Sequence, residues 1–576
     1  MTPSGRPRVW AWAALLLLGV LLRAPSLAVG RLGDDWYHLS MIEGTYPVPR
    51  SATNLFDFVR DDPAEHQRLR DRGVFPWWTT PSLKLAPWRP LTSATLALDH
   101  ALFGRSPVGP HVVSLLAWAA LLVAAAWWLR EALPEPAALL AFALLCLDES
   151  ATAPVAWIAN RASLLALAFG LVGAGILART RGRRDPRALA AVAAPFALSA
   201  LAGEYGLAVV GAVVAYELLA DPDARRTGRP RLVAALAPGV AYVVAWKLLG
   251  YGARGSSAYV DPLSQPVAWL TAARTRSLAF VGELVSAVPI AATLAAPAAT
   301  LLALALNAAL AAVVIARADA LPRRTALATL AAAATALLPV LSAPLNGRVL
   351  LPAAPFFAAA LASLGWCAWS ARPGALTWLS RGAMALWIAV HLTVSPALAW
   401  AELHGLAAWR PTTIPWRSLP HVDTCRAADQ DHLLLLASDF GMIHTAGLYW
   451  QARGCAQPRT WRTLAASQGA AIVLRDGDAS LDVRTADGGS VLGLHGILWR
   501  TEPPYRVGER FTARGFAAEV LAVADGRPTR VRYQFERSLD DPRVVLWMIT
   551  TTGFEQIAPP AVGRGRLVPH VETHFW

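Results

Sequence analysis

The chain has 576 residues, of which 55% are hydrophobic and only 16% charged, with a mean hydropathy of +0.40. A soluble domain carries nearer a quarter charged residues, so a water-soluble globular enzyme is excluded. The formal net charge of +13 is spread over short loops rather than gathered on one face, which excludes a nucleic-acid-binding groove.

Met1 to Arg8 is short and basic, and an apolar run from Val9 to Val29 follows. Ser26-Leu27-Ala28 resembles a signal-peptide cleavage site. A retained anchor is the expectation here, because further apolar runs near 20 residues recur as far as Ala401. Such runs cross a hydrocarbon core of roughly 30 Å as helices. The fold class is therefore a polytopic α-helical membrane protein of about eleven spans, followed by a soluble domain of mixed α and β, β-rich in its second half. The domains are placed at residues 1–401 and 402–576, with a large first outer loop at 31–107.

That loop opens on Gly33-Asp34-Asp35-Trp36-Tyr37-His38. Two neighbouring carboxylates at the mouth of a membrane helix are costly to hold there. They either mark the water-facing end of the helix or serve chemistry. Trp77, Trp78 and Trp88 suit an interfacial anchor or the face of a sugar ring.

The second span, Val108 to Leu129, returns to Arg130, and the third ends at the acidic Asp148-Glu149-Ser150. The fourth, from Ala162, ends in the arginine-rich segment 179–187. Spans five and six flank Gly203-Glu204-Tyr205-Gly206, and the next loop holds Arg225, Arg226, Arg229 and Arg231. A seventh span reaches Tyr251. By the positive-inside rule the arginine loops are cytoplasmic and the acidic turns outside. Ser277 to Leu294 contains Glu283 and Pro289 and is read as interfacial or re-entrant. Four further spans at 298–316, 325–341, 349–370 and 382–401 leave the N-terminus inside and everything after Glu402 outside.

In the soluble part, residues 432–439, 470–475, 530–535 and 543–551 read as strands and Thr445 to Arg453 as a helix. Cys146 and Cys367 lie in apolar runs and pack as small hydrophobes. Cys425 and Cys455 are expected to form a disulfide in the exported part. No Cys/His spacing resembles a zinc site.

Polar groups other than the acidic pair also gather on the outer side. They are Arg89, Asp99 and His111, then Trp157, Asn160 and Arg161, then Glu204, and finally Asn346, Gly347 and Arg348. Singly each has a plain structural reading: an arginine snorkels to the interface, a histidine sits satisfied in the core. Together they are harder to explain that way, since the inner loops hold mainly arginine.

In this ordered series the chain resembles GT-C class membrane glycosyltransferases, in particular the branch of protein O-mannosyltransferases and TPR-containing O-mannosyltransferases. The likeness runs from Asp34-Asp35 through Trp88-Arg89-Pro90-Leu91, Leu98-Asp99, Phe103-Gly104 and His111. It continues with Trp157-Ile158-Ala159-Asn160-Arg161, Gly203-Glu204 and Gly347-Arg348 up to Pro352, and covers residues 9–370. The resemblance implies a helical bundle and a polyprenyl-phosphate-linked sugar donor. It makes the first-loop acid a catalytic base or, in some branches, a metal ligand, so a divalent cation at Asp34 and Asp35 is one expectation. Gly203 stands where relatives often carry lysine, and there are no TPR repeats, so the acceptor, protein or glycan, stays open.

The chemistry fits on physical grounds too. Guanidinium groups suit a leaving phosphate, and Arg161 and Arg89 are the first candidates with Arg348 third. The acceptor hydroxyl needs a base within reach of its proton, for which Asp34 or Asp35 is expected, with inversion at the anomeric carbon. His111, Asn160 and Glu204 complete the expected substrate-binding set. The location expected is a bacterial-type inner membrane with the soluble domain outside. A transporter or flippase for a lipid-linked or anionic substrate is the alternative, but it would place charged groups near the bilayer midplane and show an internal repeat, neither of which the sequence offers. A non-catalytic scaffold that keeps the membrane fold is the third reading.

Overall fold

In the computed structural model the chain divides into two compact units that interleave along the sequence. One comprises Met1–Gly30, Pro87–Tyr251 and Val260–Ala408; the other comprises Arg31–Ala86, Gly252–Tyr259 and Trp409–Trp576. The structure describes residues 9–226, 228–256, 259–408, 429–437, 458–493, 500, 503–551 and 553–571. Where the sequence suggests a division near residue 402, the first outer loop groups with the C-terminal part.

The first unit is helical. Among the described residues six helices are long and apolar enough to cross a membrane: Val9–Ala28, Val108–Ala132, Ile158–Arg179, Arg229–Leu248, Pro297–Arg317 and Ala375–Ala407. A seventh crossing is available if Glu135–Leu147 and Glu149–Ala156, bent by 50° at Asp148, count as one. The expected count of about eleven is not confirmed on these terms: Ala320–Val340 is 21 residues long but carries Arg323 and Arg324 and is not among the six, and three other helices are shorter. Pro186–Ala202, Tyr205–Ala220 and Ala354–Ser370 are apolar but short. At 1.5 Å per residue, 16 residues span about 24 Å, less than the hydrocarbon core.

The expected interfacial piece at 277–294 is split. Pro266–Ser286 is one helix, Ala287 turns in the left-handed region at φ 52°, and Ile290–Ala295 forms a short second helix. Small residues let helices approach closely. A Cβ on Gly170 would lie 2.5 Å from Val209 Cγ1, so the helix Arg161–Arg179 meets Tyr205–Ala220 through bare backbone. Cys146 and Cys367 are free thiols buried in this packing, as their apolar surroundings suggest.

The second unit is β-rich. Strands β1 (Lys84–Ala86) and β2 (Gly252–Arg254) pair antiparallel. Among the described residues the remaining strands are β3 (Asp431–Leu436), β4 (Thr460–Ala465), β5 (Ala471–Gly477), β6 (Ser480–Thr485), β7 (Arg510–Ala513), β8 (Phe516–Ala524), β9 (Arg527–Phe535), β10 (Val544–Thr550), β11 (Gly553–Ile557) and β12 (Gly565–Val568). Strands β11, β10, β3 and β4 form a mixed sheet in that order, with β10, β3 and β4 parallel. An antiparallel six-stranded sheet has the order β12-β5-β6-β9-β8-β7. Alternation explains it: on β9, Val531, Tyr533 and Phe535 are buried while Arg530, Arg532 and Gln534 face water. The strands read from the sequence at 432–439, 470–475, 530–535 and 543–551 correspond to β3, β5, β9 and β10, with 438 and 439 outside the described residues. The expected helix at Thr445 to Arg453 and the Cys425–Cys455 disulfide lie outside the described residues.

Candidate functional site

The acidic pair opens a nine-residue helix, Asp34–Ile42. Gly33 precedes it at φ 38°, a backbone region that side chains disfavour, and this turn delivers the two carboxylates at the helix N-terminus. A negative charge is favoured there by the unpaired N–H groups. The two acids differ in surroundings. Asp35 is 2% exposed, and its Oδ2 accepts from the Leu32 backbone N–H at 2.8 Å. Asp34 is only half-buried. One carboxylate thus shapes the turn while its neighbour is the more exposed of the two.

The helix is held by rings. His38 meets Phe56 edge-on with centroids 4.4 Å apart and stacks on Phe58 at 5.6 Å, and Tyr37 meets Phe58 edge-on at 5.7 Å. Tyr46 Oη donates to the Phe58 carbonyl at 2.7 Å. Behind these rings lies an ion cluster in which Arg50 pairs with Asp57 at 3.4 Å and with Glu65 at 2.5 Å. A position this heavily braced suits a group that must be presented accurately.

In the helical unit the structure joins most of the remaining expected residues through direct contacts. Arg89 forms a two-pronged pair with Glu204: its Nε donates to Oε2 at 3.0 Å and its Nη2 to Oε1. Burial opposes the Glu204 charge, but Arg89's charge and hydrogen bonds prevail and hold the carboxyl below its usual range. Gly203 lies against the same guanidinium chain, where a Cβ would come 3.3 Å from Arg89 Cγ. Arg89 also sits over the Tyr205 ring at 5.3 Å, and Tyr205 Oη donates to Asn160 Oδ1 at 3.4 Å.

Asn160 is followed by Arg161, which is fully buried. Its Nη2 lies 2.6 Å from Asp99 Oδ2 and donates to the Pro110 carbonyl at 2.6 Å, while Nε donates to Ser114 Oγ at 3.1 Å. His111, also buried, donates from Nε2 to the Gly30 carbonyl at 2.7 Å. These residues tie four chain segments together. Arg348 is half-buried and stacks over Trp157 at 4.5 Å. Its loop is capped by Asn346, whose Oδ1 accepts from the Arg348 N–H at 3.0 Å.

A second polar group was not singled out from the sequence as a site. The fully buried Arg23 guanidinium donates to the Asp148 carbonyl and lies over Trp118 at 5.9 Å. Asp148 Oδ1 in turn accepts from the Ser150 N–H at 3.0 Å. Glu283, 6% exposed, accepts from the Ile290 N–H at 2.8 Å, and a Cβ on Gly347 would lie 2.2 Å from its Oε1. The sequence signal was the Asp148-Glu149 doublet, which is an acid pair at a helix mouth just as Asp34-Asp35 is. Among the described residues no group of three or more His, Cys, Asp or Glu side chains is arranged to hold a metal.

No protein-family description matches the chain, and no curated protein does. Solved structures with a similar fold are GT-C glycosyltransferases at low identity. ArnT from Cupriavidus metallidurans, bound to undecaprenyl phosphate, is 13% identical over 79% of this chain and 89% of its own, with a TM-score of 0.36. The archaeal oligosaccharyltransferase AglB from Archaeoglobus fulgidus, in complex with an inhibitory peptide and a dolichol-phosphate, is 14% identical, with a TM-score of 0.41. That match covers 79% of this chain and 64% of the AglB chain. The arabinofuranosyltransferase AftD from Mycobacteria is 18% identical over 92% of this chain and 42% of its own, with a TM-score of 0.40. All three scores lie below 0.5, and the likeness by itself assigns no reaction to this chain.

Proposed function

We propose that the protein is an inverting glycosyltransferase that moves a sugar from a polyprenyl-phosphate donor to an acceptor hydroxyl, on protein or glycan, at the outer face of a bacterial-type inner membrane. The observation that carries this reading is the contact network of the helical unit. Arg89 pairs with Glu204 and lies over Tyr205, Tyr205 bonds Asn160, and the adjacent Arg161 pairs with Asp99, so polar residues far apart in sequence meet in the helical unit. Helices that only packed against lipid would need no such network.

Within the reading, Asp34 is the base, because it is the more accessible member of the pair. It takes the acceptor hydroxyl proton as the acceptor oxygen bonds to the anomeric carbon. The bond from that carbon to the phosphate oxygen breaks, and the lipid phosphate leaves with the electron pair. Asp35 holds the turn through Leu32. Arg348 is the guanidinium assigned to the leaving phosphate. Arg161, the first candidate from sequence, is fully buried against Asp99, Pro110 and Ser114, a scaffold role. Arg89 is intermediate, since its partner Glu204 is 40% exposed and can yield to a competing phosphate.

The test is sugar release from a labelled polyprenyl-phosphate sugar by the purified protein in detergent, with and without a hydroxyl acceptor. Acceptor-dependent release that weakens about 10–100-fold in Arg348→Gln is expected, the loss of a charge-assisted phosphate contact. No release from any such donor, with the protein folded, would overturn the assignment.

A further inference from the structure

The first outer loop and the C-terminal β-rich part belong to one compact unit, and their contacts converge on Arg462 of β4. This guanidinium is buried, and Nη1 donates to the Arg70 carbonyl at 2.6 Å. Its Nη2 donates to the carbonyls of Asp71 at 2.9 Å and Arg514 at 3.0 Å. Arg70 and Asp71 end the helix Pro63–Asp71, so the cation from β4 caps the negative end of a first-loop helix. Burial pushes the group down to about 10, which still leaves it charged at neutral pH.

Further contacts act alongside it. Asp71 Oδ1 accepts from the Arg514 N–H at 2.8 Å, and Trp77 Nε1 donates to the Leu464 carbonyl at 3.2 Å. The Trp77 ring meets Phe511 and Tyr533 edge-on at 5.3 and 5.8 Å. Gly73, at φ 73°, passes so close to β4 that a Cβ would lie 2.0 Å from the Trp461 carbonyl oxygen.

From the capped helix the bracing leads back to the acids. Glu65, on that helix, holds Arg50, which also meets Asp57; Phe56 and Phe58 flank Asp57 in sequence and grip His38 and Tyr37, within a turn of Asp34. We infer that the C-terminal β-rich part is the clamp that fixes the acid-bearing first loop, with Arg462 as its positioning residue. This deepens the reading of Asp34 as the base and rests on it.

The test compares wild type, Arg462→Met and Arg462→Lys as full-length protein in detergent. Hydrogen exchange of amides 69–78 should speed about tenfold or more in Arg462→Met, with β5 and β6 unchanged. In the same variant kcat should fall by about 10²-fold, the scale of a catalytic group displaced by an ångström, while the donor KM stays within about threefold. Arg462→Lys, which keeps the charge and part of the bonding, should recover a measurable share of kcat. Unchanged exchange in Arg462→Met with β5 and β6 intact overturns the clamp, and so does a loosened loop with undiminished kcat. If Arg462→Met unfolds the whole unit, Trp77→Phe removes one hydrogen bond and leaves a smaller aromatic ring in place. It should show the same local loosening and a smaller kcat loss; wild-type exchange and turnover there would equally overturn the clamp. The exchange measurement does not depend on any reaction, so a failure of the glycosyltransferase reading shows separately, as an Asp34→Asn variant with full turnover.

Discussion

Replacing Arg161 by methionine tests whether this arginine holds the helical unit together or meets substrate. The guanidinium is fully buried and lies 2.6 Å from Asp99 Oδ2, with further bonds to Pro110 and Ser114. Removing it takes the guanidinium away from the Asp99 carboxylate, which is only 4% exposed. Breaking a buried pair from one side costs about 3–5 kcal/mol. Replacing both partners by apolar residues of similar volume is often neutral, so Arg161→Met with Asp99→Leu should return to within about 1–2 kcal/mol of wild type. The assay is a double-mutant cycle read by denaturant titration in mixed micelles, with sugar release measured on each folded variant. A scaffold arginine predicts that the double variant regains both stability and turnover. An Arg161→Met change that costs under about 1 kcal/mol would refute the energetic argument. A double variant that is stable but inactive would move Arg161 from scaffold to phosphate.

Other consequences can be measured separately. Gly347→Ala places a methyl 2.2 Å from Glu283 Oε1, so this buried carboxylate must move against its 2.8 Å bond to the Ile290 N–H, which should cost about 1–3 kcal/mol in the same titration; a silent substitution would show that the Glu283 side chain swings aside freely. His432 is fully buried, its Nδ1 accepts from the Trp547 indole at 2.9 Å, and burial holds it down at about 3 against an ordinary 6.5. The unfolded chain therefore binds a proton that the folded one refuses, so stability is full above pH 6.5 and declines as pH falls toward 3. Between those values the second unit should lose about 1.4 kcal/mol per pH unit, read by hydrogen exchange on β3 and β10. The slope should flatten in His432→Gln, and a slope unchanged by that substitution would acquit the histidine. Glu204→Gln weakens the two-pronged bond to Arg89 and should lower stability by about 1 kcal/mol, because Glu204 is 40% exposed and partly screened; a loss above 3 kcal/mol would mean that the pair is buried in the membrane-embedded protein.

Some parts of this fold were legible in the residues and others were not, for definite reasons. The alternation of Val531, Tyr533 and Phe535 with Arg530, Arg532 and Gln534 announces a half-buried strand directly. Helical character was equally open to reading, but span count was not. Hydropathy reports composition, whereas Tyr205–Ala220 and Ala354–Ser370 fall short in length only once their ends are fixed by turns at Glu204 and Ala353. Composition marks Arg89, Asp99, Asn160, Arg161 and Glu204 as outer-side polar residues, and the structure places Arg89 on Glu204 and Arg161 on Asp99. Composition could not say which arginine would be consumed by which acid. The Arg161–Asp99 and Arg89–Glu204 pairs span 62 and 115 positions, and no local rule relates such partners. Arg23 and Glu283 were passed over because each is a lone charge in an apolar run, indistinguishable in sequence from one that snorkels. The grouping of residues 31–86 with the C-terminal strands was invisible for the same reason, since it rests on contacts such as those of Arg462 and Trp77 with groups nearly 400 positions away.

The most direct measurement is single-turnover sugar transfer by Asp34→Asn and Asp35→Asn beside wild type, with a labelled polyprenyl-phosphate donor and saturating acceptor. A base lost from reach of the acceptor proton should slow Asp34→Asn by about 10²–10⁴-fold with donor affinity little changed. Asp35→Asn should cost less in rate and more in the order of the loop, because its carboxylate serves the Leu32 turn. Transfer by Asp34→Asn at the wild-type rate would contradict the account at its centre.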